Sequence, residues 1–410
     1  MTTLPLPDSP ALTSPQERAR PKALSLPRWL WMPALVFTVT RLGIFLIAWL
    51  AAPIIVDNPV APPYHLRGTD NVLLDVLGSR WDTGFYVSIV EEGYKYEGVP
   101  LPSVPFFPLL PIVMKWLLPL TGDAVIAGVL AANTALLGAA ILLYVLVSTR
   151  WGDAVADRAV WYLLIFPVSF FGSAIYSESL FLLTAIAALL LARQGRWTAA
   201  FVVGMLCGMS RFMGLIAAPM LAAEFIVQYR ARGAERGAGG PRPYAGIIAP
   251  LGVALGTGAY MIYLQAAFGD ALAFTHASAA WGRVAQSPIQ LLAELVRAPA
   301  GGWWAGLLAA QIHLDNWLDF LFVLVFVGLG IVLLVKREWP EAVFVLAGAL
   351  IPLGSGLLMS QRRYMFVLFP AFILLACWGD RPWVDRLITA LSLIGLGFFT
   401  ALFANGYWVG

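Results

Sequence analysis

The sequence predicts an all-α polytopic membrane protein, and three observations carry that prediction. Of its 410 residues, 60% are hydrophobic and only 12% are charged, about half the charged share of a soluble domain. The mean hydropathy is +0.80. Apolar runs of bilayer-spanning length recur along the whole chain, about eleven of them, separated by polar loops. The net charge of +3 is small, so nucleic acid is not an expected partner, whereas membrane lipid is. Basic residues are spread over short loops, in the manner of the positive-inside pattern. Cys207 and Cys377 both sit within apolar runs, which argues against a disulfide framework. His65, His276 and His313 are far apart and form no metal-ligand spacing. No cofactor is therefore expected, with a divalent metal left open.

Residues 1–28 are polar and Pro-rich, with Arg18, Arg20 and Lys22. They lack the short apolar core and small-residue cleavage site of a signal peptide, and predict a disordered cytoplasmic tail. A single transmembrane domain is expected over 29–410. Its first helix runs from about Trp29 to Ala52. Lys22 and Arg28 place the start of that helix inside. Arg41 falls near its middle, where a charge should face protein or water, not lipid.

Residues 53–103 form a first external loop that opens with Pro53, Pro59, Pro62 and Pro63. Leu73, Leu77, Trp81, Phe85 and Ile89 then fall on one i,i+4 row. Asp75 and Asp82 share roughly the opposite face. This spacing predicts a helix lying in the membrane interface, with Gly78 and Gly84 as the places where it breaks. The short apolar segment 105–120 carries four prolines and reads as a span or as a segment that only dips in. Further spans are expected near 123–148, 157–175 and 178–193. Ser210-Arg211 divides the apolar stretch 198–227. A cytoplasmic loop follows at 228–243, a span at 244–266, and a second external loop at 267–315. The last spans fall near 316–335, 340–358, 364–379 and 386–404. Simple alternation puts Glu178 inside and Arg150 outside. If 105–120 does not cross and 198–227 crosses twice, Glu178 and Arg211 lie outside while Arg150, Arg193 and Arg196 lie inside. The positive-inside rule favours the second arrangement.

Four groups of residues invite chemistry. Asp82 stands beside Trp81, Phe85 and Tyr86, a setting that suits a general base accepting a hydroxyl proton. The same residues also fit a solvated interfacial helix. Its neighbour Arg80 points elsewhere on a helix and is better placed for a phosphate. Of the other acids, Asp70, Asp75, Glu91, Glu92 and Glu97 read as loop charges. Glu178 lies in Tyr176-Ser177-Glu178-Ser179 between two apolar runs, where a carboxylate needs a partner or favours a helix start. Arg41, Arg211, Arg362 and Arg363 are basic residues at or inside the membrane, and several converging guanidiniums would bind a lipid phosphate. Each one alone also fits headgroup anchoring. Last, Trp281, Trp303, Trp304, Trp317, His276, His313 and Asp315 give the second loop an aromatic and polar mix, suited to sugar stacking or to an interfacial belt.

These residues carry a resemblance. Arg80-Trp81-Asp82-x-x-x-Tyr86 with Gly93-Tyr94, then Phe106-Phe107-Pro108-Leu109-x-Pro111, resembles the PIG-V mannosyltransferase family. Phe166-Pro167-x-Ser169-x-Phe171 with Tyr176-Ser177-Glu178-Ser179-x-Phe181 is similar to its next motif. Ser210-Arg211-x-x-Gly214-Leu215, and Arg363-Tyr364 with Pro370, are similar to later and looser ones. Phe166 departs from the Asn that eukaryotic members usually place before the Pro, and the second external loop is short. The resemblance implies a GT-C glycosyltransferase fold and an enzyme that takes a sugar from a polyprenyl-phosphate carrier on the non-cytoplasmic face. It implies Asp82 as the catalytic base. Arg80, Trp81, Tyr86, Glu178, Arg211, Arg362, Arg363 and Tyr364 are the expected substrate-binding residues. The expected partners are a polyprenyl-phosphate sugar donor, with mannose as the expected sugar, and a lipid or glycan acceptor. Short turns and the lack of a retention signal suggest a bacterial cytoplasmic membrane with an outward-facing site. A lipid or sugar transporter, or a non-catalytic subunit of a glycosylation complex, are the rival readings. Sugar, acceptor, linkage and oligomeric state are not legible from residues.

Overall fold

A computed structural model describes residues 26–56, 58, 78, 80–235, 244–297, 301–309 and 314–410. The described residues form an all-helical bundle. The helices are α1 (Arg28–Ala51), α2 (Thr83–Glu92), α3 (Leu109–Thr121), α4 (Ala124–Trp151), α5 (Asp153–Leu164) and α6 (Glu178–Arg193). They continue as α7 (Trp197–Ser210), α8 (Ala217–Glu235), α9 (Ala249–Phe268), α10 (Ala273–His276), α11 (Pro288–Leu295) and α12 (Trp303–Leu308). The last are α13 (Leu314–Val335), α14 (Trp339–Leu350), α15 (Gln361–Phe366), α16 (Phe369–Trp378) and α17 (Pro382–Ala404). Residues 1–25 of the tail expected over 1–28, together with Asp70, Leu73, Asp75 and Leu77, lie outside the described residues.

Among the described residues, six helical segments are long and apolar enough to cross a membrane: α1, α4, Phe212–Ala231, α9, α13 and α17. The other expected spans are shorter or interrupted. The span expected over 157–175 stops being α-helical at Leu164, and a 3-10 turn follows at Ser169–Gly172. The span expected at 340–358 ends as a 3-10 segment from Ile351, and that at 364–379 is two short helices. The expected 228–243 loop is still helical to Glu235.

Ion pairs mark one end of the bundle. Arg28 meets Asp157 at 2.5 Å, Arg150 meets Glu338 at 2.6 Å, and Arg193 meets both Glu224 at 3.4 Å and Glu341. Arg158 donates to the Ala376 carbonyl at 2.8 Å. The start of α1, the ends of α4, α6 and α16, and the α13–α14 turn therefore share this end. Asp82, Glu178, Arg211 and Arg363 lie together at the other. α3 is preceded by the Asp82 loop and followed by the start of α4, so both its ends are on the Asp82 side and it does not cross. Its 13 residues rise only about 20 Å. α7 and α8 run towards Arg211 and back. This is the arrangement that the positive-inside rule favours.

Two features build the wall behind Arg211. Gly204 and Gly208 of α7 face Gly252 and Gly256 of α9, in the small-xxx-small spacing that lets membrane helices approach closely. A Cβ on Gly208 would sit 2.0 Å from the Val253 carbonyl oxygen, and one on Gly256 would sit 2.0 Å from that of Met205. Irregular backbone after α5 needs hydrogen-bond partners inside the bundle. Arg41 supplies them, donating to the carbonyls of Leu164 at 2.5 Å and Ser169 at 2.9 Å and to the hydroxyls of Ser169 and Ser173. Asn133 takes the Ser173 carbonyl at 2.9 Å. The mid-helix arginine is thus a partner for a broken segment.

Candidate functional site

The site grows from four charged residues, each at a helix end. Asp82 is the residue before α2. Trp81 ahead of it has φ 58°, left-handed backbone that costs a bulky residue ~1–2 kcal/mol. The helix begins after it, at Thr83, and runs unbroken through Gly84, where the sequence predicts a break. Packing holds Trp81 in place, with its ring edge-on to Trp408 at 5.1 Å. The Asp82 backbone N–H donates to the Tyr176 hydroxyl at 3.2 Å. Phe85 and Ile89 are buried below, as their shared row predicts.

Glu178 opens α6 after the irregular segment. Arg211 stands in extended backbone between α7 and the 3-10 turn Phe212–Ile216. Arg363 belongs to the short α15, whose preceding Ser360 has φ 79°. The side chains meet in a chain of ion pairs. Asp82 Oδ2 lies 2.7 Å from Arg363 Nη1, Glu178 Oε1 lies 3.3 Å from Arg363 Nε, and Glu178 Oε1 lies 2.8 Å from Arg211 Nη1. Glu178 is 1% exposed and Arg363 8%, so the charges rely on each other more than on solvent.

The chain of charges floors a cavity of about 690 Å³. Aromatic walls come from Trp81, Tyr86, Phe106, Trp281, Tyr364 and Trp408. Arg363 lies 5.3 Å from the Trp408 ring centroid and 5.4 Å from that of Tyr176, and Arg211 lies 5.5 Å from that of Tyr364. These are cation–π distances. Burial and the nearby Glu178 carboxylate push the Tyr86 phenol above its ordinary value, so it stays a neutral donor. A third guanidinium, Arg283, reaches the cavity from the second external loop. It donates to the Ser355 hydroxyl at 3.1 Å and lies 5.9 Å from the Tyr364 ring. Among the described residues, no three of His, Cys, Asp and Glu form a metal-binding group.

Of the expected substrate-binding residues, Trp81, Tyr86, Glu178, Arg211, Arg363 and Tyr364 line this cavity with Asp82. Arg80 and Arg362 are not in the lining. The Arg80 carbonyl accepts from Tyr176 at 3.4 Å. Arg362 is fully buried and turned to α13, where its Nε meets Asp319 at 2.8 Å and its Nη2 meets Asp315. Its Nε and Nη2 are thus committed to α13, and it anchors α15 outside the cavity lining. Trp303 and Trp304 lie outside the lining, and His276 pairs with Asp270 at 2.7 Å; His313 lies outside the described residues. Sequence reasoning missed Arg283, Ser360 and Trp408. Arg283 is two residues from Trp281 and carried a readable signal; Ser360 and Trp408 carried none.

Residues 45–231 match the mannosyltransferase (PIG-V) family. The match supports a glycosyltransferase. Asp82, Glu178 and Arg211 fall inside the matched residues, while Arg283, Arg363 and Trp408 complete the cavity from beyond them. No curated protein matches the sequence. Among solved structures, the chain is similar to the Archaeoglobus fulgidus oligosaccharyltransferase in its apo form, with 14% identity and a TM-score of 0.43, covering 92% of this chain and 56% of that one. It is also similar to the same archaeal enzyme in complex with an inhibitory peptide and a dolichol-phosphate, with 13% identity and a TM-score of 0.41, covering 93% and 56%. The chain thus spans just over half the length of those proteins.

Proposed function

We propose that the chain is a membrane glycosyltransferase of the GT-C type, moving a hexose, with mannose favoured by the family match, from a polyprenyl-phosphate carrier to a hydroxyl of a lipid or glycan acceptor. The observation that carries the reading is a single one: the Asp82 carboxylate stands in an aromatic cavity at the Arg363 guanidinium. Transfer is inverting and proceeds in one displacement. Arg363 engages Asp82 Oδ2, leaving Oδ1 to take the acceptor hydroxyl proton. The acceptor oxygen bonds to the anomeric carbon. The bond from that carbon to the phosphate oxygen breaks, and the carrier phosphate leaves with the electron pair.

Charge in the cavity favours a monophosphate carrier. The charged lining residues are Asp82 and Glu178 against Arg211, Arg283 and Arg363, a net charge of one positive. A sugar phosphodiester carries one negative charge, which this surplus matches. Arg283 has no carboxylate partner among the described residues and is the group to hold the leaving phosphate. Guanidinium charge thereby takes the part a divalent ion could play, so no resident metal is invoked. The ring faces of Trp81, Trp281 and Trp408 suit a sugar. The opposite end of the bundle carries Arg150, Arg158, Arg193 and Arg196, which supports an outward-facing cavity.

The test uses purified full-length protein with polyprenyl-phospho-mannose as donor. Asp82→Asn and Asp82→Ala are expected to lower kcat roughly 10²- to 10⁴-fold, the usual share of a general base. Arg283→Gln is expected to raise the donor KM more than it lowers kcat. Transfer at near wild-type rates by both Asp82 variants ends the assignment.

A further inference from the structure

A second cavity, of about 460 Å³, opens at the far end of the bundle between α8 and α14. Ala223, Ile226 and Val227 of α8 and Trp339 and Val343 of α14 line it, with Arg230 and Arg337 beside them. We infer that this groove binds an anionic phospholipid of the surrounding bilayer, its phosphate between Arg230 and Arg337 and an acyl chain along the apolar wall.

Charge is the first argument. Neither Arg230 nor Arg337 has a carboxylate partner among the described side chains. The carboxylates described on or beside these two helices are committed elsewhere. Glu224 and Glu341 are buried against Arg193, and Glu338 is taken by both Nη atoms of Arg150, at 2.6 and 2.8 Å. The groove therefore presents two uncompensated guanidiniums, whose fork geometry matches phosphate oxygens.

Position is the second argument. Ile226 and Val227 are 46% and 38% exposed, and Trp339 is 45% exposed. All three sit where a membrane-crossing segment ends, at Ala231, so the apolar wall faces lipid and the guanidiniums meet the headgroup level. An exposed indole at that level is a common interface anchor. Backbone geometry agrees. Arg337 holds φ 62° in the tight turn between α13 and α14, left-handed backbone that costs a non-glycine residue stability and sets its side chain beside the groove. Basic pockets between helices on this side suit anionic headgroups. A soluble phosphate would gain nothing from the apolar wall.

Native mass spectrometry of the detergent-solubilised full chain tests the inference, with phosphatidylglycerol, phosphatidylcholine and inorganic phosphate as probes. Phosphatidylglycerol should remain bound, and the other two should not. R230Q/R337Q should weaken retention roughly 30-fold, as loss of two basic groups at a membrane surface implies, while R230K/R337K, which keeps the charge and loses the fork, should fall between it and wild type. Ala223→Phe, which fills the groove and leaves both arginines, should also lower retention and guards against a misfolded double variant. Equal retention of phosphatidylglycerol by wild type and either weakening variant overturns the site, as does displacement by millimolar inorganic phosphate. The readout is binding, so it is independent of whether the chain transfers a sugar.

Discussion

Replacing Glu178 with Gln removes one negative charge from a buried chain of four. Glu178 Oε1 stands 2.8 Å from Arg211 and 3.3 Å from Arg363. At an effective dielectric of about 20, those distances correspond to attractions of ~6 and ~5 kcal/mol. Desolvation of buried ions offsets several kcal/mol of each. Breaking a buried pair by removing one partner nevertheless costs ~3–5 kcal/mol, because the other charge is left uncompensated. Glu178→Gln should therefore destabilise the protein by ~3 kcal/mol or more. Adding Arg211→Gln to it should recover much of that loss, since the stranded charge goes with it. The assay is a double-mutant cycle, with unfolding in mixed detergent micelles followed by circular dichroism. The expected coupling between the two sites is ~2–3 kcal/mol, well above the ~0.5 kcal/mol scatter of independent sites. Strictly additive losses, or a Glu178→Gln variant as stable as wild type, would refute the view that these charges hold one another.

Three further outcomes follow from the frame. Arg41→Gln cannot replace four hydrogen bonds to the 164–173 segment, and should cost at least ~2 kcal/mol through stranded buried carbonyls, measured by the same unfolding assay. Gly256→Val forces backbone apart at the Met205 carbonyl and should lower the melting temperature sharply, whereas Gly258→Ala, with open space around it, should not. Asp270 is held below its ordinary carboxylate range by the hydrogen bond with His276, against the opposing effect of burial. Its contribution is present above the unfolded value of about 4 and is lost as pH falls through the lower folded value. Unfolding followed between pH 5 and 2 should show a steeper loss in wild type than in Asp270→Asn.

Much of this molecule was readable because membranes constrain sequences strongly. Spans, their basic flanks and the split at Arg211 follow from hydropathy and one polar pair. Helix phasing placed Phe85 and Ile89 inward, and the family resemblance singled out Asp82. The differences have a common cause. The 157–175 run does pass from one end of the bundle to the other, but as a broken helix, because hydropathy reports burial and not helical continuity. Leu164 to Ser177 is apolar yet irregular, and its backbone is satisfied by Arg41, 123 residues before Leu164, and by Asn133. Arg362 and Arg363 are adjacent and chemically identical. Which one enters the cavity depends on the start of α15 and on Asp319, neither of which local patterning reveals.

The same logic explains why the four central charges stand where they do. An unbroken membrane helix satisfies its own backbone and presents its side chains along its length. An interrupted helix exposes backbone groups and allows a side chain to project from its end. Glu178 follows the interruption after α5, Arg211 sits in the one between α7 and α8, and Arg363 follows the one after α14. Asp82 precedes α2, behind the left-handed Trp81. Irregular backbone at membrane depth survives where it is buried in protein or lines a cavity, and these interruptions meet at one cavity. Each carries its own means of support: Arg41 and Asn133 for the first, the glycine-packed α7–α9 pair for the second, and the Arg362–Asp319 pair for the third. Loosening any one support should move its charge before it unfolds the bundle. Asp319→Asn should therefore impair the Arg363–Asp82 contact, and with it transfer, while leaving the remaining helices assembled; a variant with normal transfer would show that α15 needs no such anchor.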